Sequence, residues 1–127
     1  MSKIVKQRKK FYSPKEKQWI YKTIETTEIK ALCEKKSYCE RGKLHAVDEA
    51  ITDLDEWYGL DDVTDERVIE EIEWKMHNWL SNFYDCHDTR YEIRDKKSGF
   101  FREMTEQEMS REVERTKKFI TKLKGLL

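Results

Sequence analysis

Apolar positions recur at steps of three and four along most of the chain, and this spacing predicts helices. Leu44, Val47, Ile51, Leu54 and Tyr58 form one stripe. Ile69, Ile72, Met76, Trp79 and Phe83 form a second, and Met109, Val113, Thr116, Ile120 and Leu123 a third. Such steps keep a set of residues on one side of a helix of about 3.6 residues per turn, so each stripe marks a face to be buried. Ile20, Ile24, Thr27 and Ala31 read the same way, widened by Trp19 and Thr23. Helices are therefore expected near residues 14–36, 40–58, 65–84 and 106–124.

The start and stop signals fit these spans. Ser13-Pro14 resembles a helix start, with serine capping free amides and proline at a position whose N–H has no helical partner. The β-branched cluster Thr23, Ile24, Thr26, Thr27 and Ile29 argues the other way, because such residues lose side-chain freedom in a helix. Ser37-x-x-Glu40 and Thr105-x-x-Glu108 match capping boxes, and Thr64 precedes the acidic pair Asp65-Glu66 at a helix N-terminus. Gly59 and Gly125 are candidate terminators. Between the last two helices, Tyr91 and Ile93 alternate, Asp95–Gly99 is turn-like and Phe100–Met104 returns. That segment is a hairpin or an extended loop anchored by aromatics. The expected fold is mostly α: a small four-helix array with a β-hairpin before the last helix. Residues 1–12 read as a basic N-terminal arm and residues 13–127 as a single helical domain.

Composition narrows the class. The chain has 127 residues, enough for one domain, with 37% hydrophobic and 41% charged residues. One proline and four glycines are too few for a turn-rich β-sandwich. No apolar run approaches the roughly 20 residues of a membrane span, so no membrane partner is expected. The first 17 residues carry seven lysines and arginines but no apolar signal core, and the three cysteines are unevenly spaced. A reducing, cytoplasmic setting is the simplest expectation.

A formal net charge of zero hides three blocks: +8 over residues 1–43, −12 over residues 44–88 and +4 over residues 89–127. Complementary charges within one compact fold would give this pattern. So would two binding surfaces of opposite sign, one for phosphates or an acidic partner and one for a basic partner.

Motifs for chemistry are sparse. Cys33, Cys39, His45, His77, Cys86 and His87 lack the paired C-x2-C spacing that pre-organises zinc ligands, and no metal is expected. Cys33 reads instead as a small buried residue, His45 as an exposed flank and His77 as partly buried. Asp53-x-x-Glu56 and Glu70-x-x-Glu73 loosely resemble the paired E-x-x-E and E-x-x-D motifs of the all-helical nucleotide pyrophosphohydrolases. That resemblance implies magnesium held between two helices beside a phosphate substrate. Two of the four positions carry the other acidic residue, however, and acidic helix faces are more often solvated surface. Glu73 and His77 lie one helical turn apart but have no accompanying nucleophile. Glycine-rich phosphate loops, G-x-S-x-G and H-E-x-x-H are all absent from the sequence. The expectation is a non-enzyme with no cofactor.

Two sets of binding residues stand out. Trp74 lies opposite the stripe of its own helix, among polar neighbours, where a satisfied surface helix has no use for tryptophan. With Glu70, Glu71, Asp55, Glu56 and Trp57 it defines a candidate protein-binding face. The second set is Lys6, Arg8, Lys9, Lys10 and Tyr12, with Phe11, where cations suit phosphates and rings suit bases. Arg90, Arg94, Lys96 and Lys97 would extend it. The preferred reading is a regulator, inhibitor or adaptor that meets a larger protein through an acidic helical surface, nucleic-acid-binding proteins being one candidate class of partner. The alternative is a regulatory protein that contacts nucleic acid directly, as a DNA-binding protein would, through the basic N-terminal arm.

Overall fold

The computed structural model describes residues 3–39, 44–85, 92–95 and 97–127. Two strands come first, β1 (Ile4–Ser13) and β2 (Gln18–Thr27), followed by the short helix α1 (Glu28–Glu34) and a π-helical turn over Lys35–Cys39. Helix α2 (His45–Tyr58) leads through a short 3-10 turn into α3 (Asp65–Asp85). Strands β3 (Glu92–Arg94) and β4 (Phe101–Glu103) precede α4 (Glu106–Gly125). Among the described residues the fold is mostly helical with four helices, and a hairpin does stand before the last one.

Stripes on α2, α3 and α4 supply the core. Val47, Ile51 and Leu54 meet Val68, Ile72 and Trp79, while Met109, Ile120 and Leu123 close the third side, all buried in one cluster with Ile29 and Cys33. One stripe member behaves differently. Tyr58 is exposed at the end of α2, and the Phe83 side chain lies outside the described set.

The helix expected over residues 14–36 is the main correction. Only its last part, Glu28–Glu34, is an α-helix; Gln18–Thr27 is a strand paired antiparallel with Ile4–Ser13. The Ser13-Pro14 signal is real but serves a turn: the Ser13 hydroxyl accepts from the Glu16 amide at 3.3 Å, and Lys17 closes the loop with φ of 54°. A serine oxygen three residues ahead of a free amide does the same work in a turn as in a helix cap. Residues four apart share a face in a strand as well as in a helix, so Ile20 and Ile24 do not distinguish the two. The β-branched and aromatic run through Thr27 decides for the strand.

Thr27 then caps α1, accepting from the Lys30 amide at 3.2 Å, and donates to the Asp65 carboxylate at 2.6 Å. The expected Ser37 capping box does not open α2. Ser37 is buried in the π-helical turn and donates to Asp48 at 2.8 Å, while Leu44 occupies the N-cap of α2. Glu40 lies outside the described residues. Glu112 reaches over from α4 and accepts from the His45 amide at 2.9 Å, supplying the first turn of α2 with a carboxylate from another helix. Thr64 and Thr105 act as expected: Thr64 accepts from the Arg67 amide at 3.2 Å, and Thr105 with Glu108 forms a complete capping box. Gly59, with φ of 80°, ends α2, whereas Gly125 remains helical and Leu126 is the cap of α4.

The β3–β4 hairpin pairs Glu92 with Glu103 and Arg94 with Phe101. Asp95 organises its turn by accepting from the Lys97 amide at 2.8 Å, and Gly99 takes φ of 75°. Met104, buried at its end, fastens the return strand to the core.

Candidate functional site

Helices α2 and α3 carry the most acidic stretch of the chain, and their outer edges meet at a shallow groove. Trp57 from α2 and Arg67, Glu70, Glu71 and Trp74 from α3 line it, enclosing about 400 Å³. The face expected from sequence is thus partly assembled in three dimensions: Trp57, Glu70, Glu71 and Trp74 share one depression. Trp57 is 56% exposed and Trp74 58%, whereas Trp79, one turn further along α3, is buried. Trp74 is therefore not a second core residue of α3.

Lys75 organises the rim. Its ammonium lies 5.8 Å from the Trp57 ring centre and 5.5 Å from that of Trp74, and it is paired with Asp53. A cation over an indole face is attracted by the ring quadrupole, so Lys75 links the two exposed rings. Tyr58 stands edge-on to Trp57 at 6.4 Å and extends the exposed aromatic surface.

The acidic residues divide into roles. Glu70 and Glu56 are exposed and open to a partner. Asp55 is exposed too, but one oxygen accepts from the Leu60 amide at 3.1 Å and shapes the turn after α2. Glu71 is buried and held by Arg67 at 2.8 Å, so it forms part of the groove wall and its charge is already met. Burial pushes the nearby Glu49 carboxyl above its ordinary range, against the lowering effect of Lys75 and His45.

Two of the four carboxylates that resemble a pyrophosphohydrolase motif are paired with lysines, while Glu56 and Glu70 stay exposed. Asp53 pairs with Lys75, and Glu73 pairs with Lys124 of α4 at 2.7 Å. Among the described residues, no three of His, Cys, Asp and Glu converge to hold a metal ion. Cys86 and His87 lie outside those residues, as do Arg90 and Lys96 of the suggested second basic patch. His77 is exposed rather than partly buried. His45 is half-buried rather than exposed: its ring stacks on Trp79 with centroids 5.6 Å apart, and Nδ1 is 3.4 Å from Glu112. Among the described residues, no helix is long and apolar enough to cross a membrane.

The basic residues of the N-terminal segment lie on β1, and pleating sorts them. Lys6, Arg8, Lys10 and Tyr12 share one side, while Lys9 points to the other and pairs with Glu34 of α1 at 2.7 Å. The register sets Tyr12 opposite Trp19 and Lys10 opposite Tyr21. Sequence reasoning missed Trp19 and Tyr21 as members of this face because it placed them on a helix; alternation from Gln18 onward would have found them.

Against known proteins, the chain matches no family model, no curated protein and no solved structure.

Proposed function

We propose that this protein is a non-catalytic regulator, an inhibitor or adaptor, that docks on a larger protein through the Trp57–Trp74 groove. The observation that carries the reading is the convergence of two tryptophans from different helices, both more than half exposed, in one acidic depression. Each exposes a large apolar area to water, and tryptophan is among the residues that dominate binding interfaces. The partner surface that fits is basic. Its arginines or lysines stack on the two indoles and pair with Glu56 and Glu70, and a surface that otherwise holds nucleic acid has that chemistry. The free, buried thiol of Cys33 fits a reducing, cytoplasmic setting.

Affinity capture from the native host, with wild-type protein beside Trp57→Ala/Trp74→Ala, tests the proposal. The wild type retains a partner that the folded double variant loses, and each single replacement weakens the purified pair about 30-fold or more, the equivalent of a hot-spot loss of about 2 kcal/mol. Added salt weakens the pair further. A partner held equally by wild type and double variant places the contact elsewhere and overturns the proposal.

A further inference from the structure

The β1–β2 hairpin presents an outward face that is not packed against the other described residues. Its inner side turns towards α1, where Val5, Gln7 and Lys9 line a groove with Ala31, Leu32 and Glu34, to which Arg8 and Lys10 also contribute. The outward side carries, row by row, Lys6 opposite Glu25, Arg8 opposite Thr23, Lys10 opposite Tyr21 and Tyr12 opposite Trp19. Tyr12 is 51% exposed, Trp19 59% and Tyr21 58%.

Cations and rings are interleaved on this face. The Arg8 guanidinium lies 4.5 Å from the Tyr21 ring centre, the Lys10 ammonium lies 5.2 Å from that of Trp19, and Tyr12 meets Trp19 edge-on at 5.5 Å. Residues 3–27 hold eight lysines and arginines against two glutamates, a net +6 on one hairpin.

We infer that this face binds single-stranded nucleic acid, with Tyr12, Trp19 and Tyr21 stacking on bases and Lys6, Arg8 and Lys10 meeting the phosphates. Successive rows on one side of a strand are about 6.7 Å apart, roughly twice the 3.4 Å step of bases stacked in a duplex strand. Bases seated on neighbouring rows are therefore drawn away from one another, and each ring replaces a lost base neighbour. A duplex has no free base faces to offer these rings, and an acidic protein surface would use the cations but leave three exposed aromatics without a matching planar group. DNA and RNA single strands share the chemistry the face recognises. This site is separate from the Trp57–Trp74 groove and stands or falls without it.

Fluorescence anisotropy of the whole protein with labelled oligothymidine, oligouridine and duplex DNA of about 20 nucleotides tests the inference. At least one single strand binds more tightly than the duplex, with an affinity that falls steeply as salt rises. Trp19→Ala and Tyr21→Ala each weaken binding about fivefold or more, whereas Trp19→Phe and Tyr21→Phe retain most of it because a ring remains. Arg8→Ala/Lys10→Ala reduces both the affinity and the salt slope. Trp57→Ala/Trp74→Ala leaves it unchanged, which separates failure here from failure of the groove. Absence of binding to either single strand at low salt overturns the inference. So does duplex binding of equal strength, a poly-glutamate competitor as effective as the oligonucleotides, or full affinity in the two ring-to-alanine variants.

Discussion

The Thr27 hydroxyl donates to the Asp65 carboxylate at 2.6 Å and joins the base of the first hairpin to the first turn of α3. The same oxygen accepts from the Lys30 amide and caps α1, so one hydroxyl serves two helix N-termini. Valine keeps the shape and removes both bonds. Thr27→Val should cost about 1 kcal/mol for the cap and about 1.5–3 kcal/mol for a hydrogen bond to a charged acceptor. Thr27→Ser should retain most of that stability. Urea unfolding of the two variants checks this; a Thr27→Val variant as stable as wild type would remove the bridge from the account.

Cys33 lies close to that junction. Burial, with smaller contributions from the charges of Asp65 and Glu34, pushes its thiol up to about 12. Only the thiolate is nucleophilic, so native Cys33 should resist alkylation near pH 8 and react once the chain is unfolded in denaturant. Mass spectrometry after iodoacetamide, in a Cys39→Ser/Cys86→Ser background, reads the single site. Rapid labelling of the native protein would show that the thiol is not held in the core.

The first turn of α4 responds to acid in a predictable direction. Arg102 grips Glu108 through two hydrogen bonds of 2.6 and 2.9 Å, and with the Thr105 amide it holds the carboxyl down at about 2. Because the folded value lies below the ordinary 4.5, the ionised carboxylate favours folding. That contribution is complete above the ordinary value and is lost as pH falls toward the depressed one. A carboxyl-detected NMR titration should find Glu108 titrating near 2, and Arg102→Ala should move its midpoint upward. An ordinary midpoint in the wild type would mean that the ion pair does not persist in solution.

Much of the fold is legible in the sequence because α2, α3 and α4 each bury most of one stripe, and Thr64 and Thr105 mark the starts of α3 and α4 without a competing signal. The first hairpin is illegible for a specific reason. Ile20 and Ile24 satisfy helix and strand alike, and the serine–proline pair at its turn imitates a helix cap. The Ser37 box fails because Ser37 is buried and bonded to Asp48, a tertiary contact that no local pattern carries. At the groove, Trp74 announces itself by standing off its stripe. Its neighbour Trp57 and the lysine between them are brought together only when α2 packs on α3. On the hairpin the cations can be read directly, but which rings lie beside them depends on strand register.

The central claim is that Trp74 serves a surface and not the core, and comparison with Trp79 tests it most directly. Both sit on α3, one turn and a fraction apart, with 58% and 1% of their surfaces exposed. In denaturant unfolding, Trp79→Ala should lose about 3–5 kcal/mol through lost burial and a cavity. Trp74→Ala gives up little more than its contact with Lys75 and should lose about 1 kcal/mol or less. Equal destabilisation of the two variants would make Trp74 a packing residue and contradict the docking surface built on it.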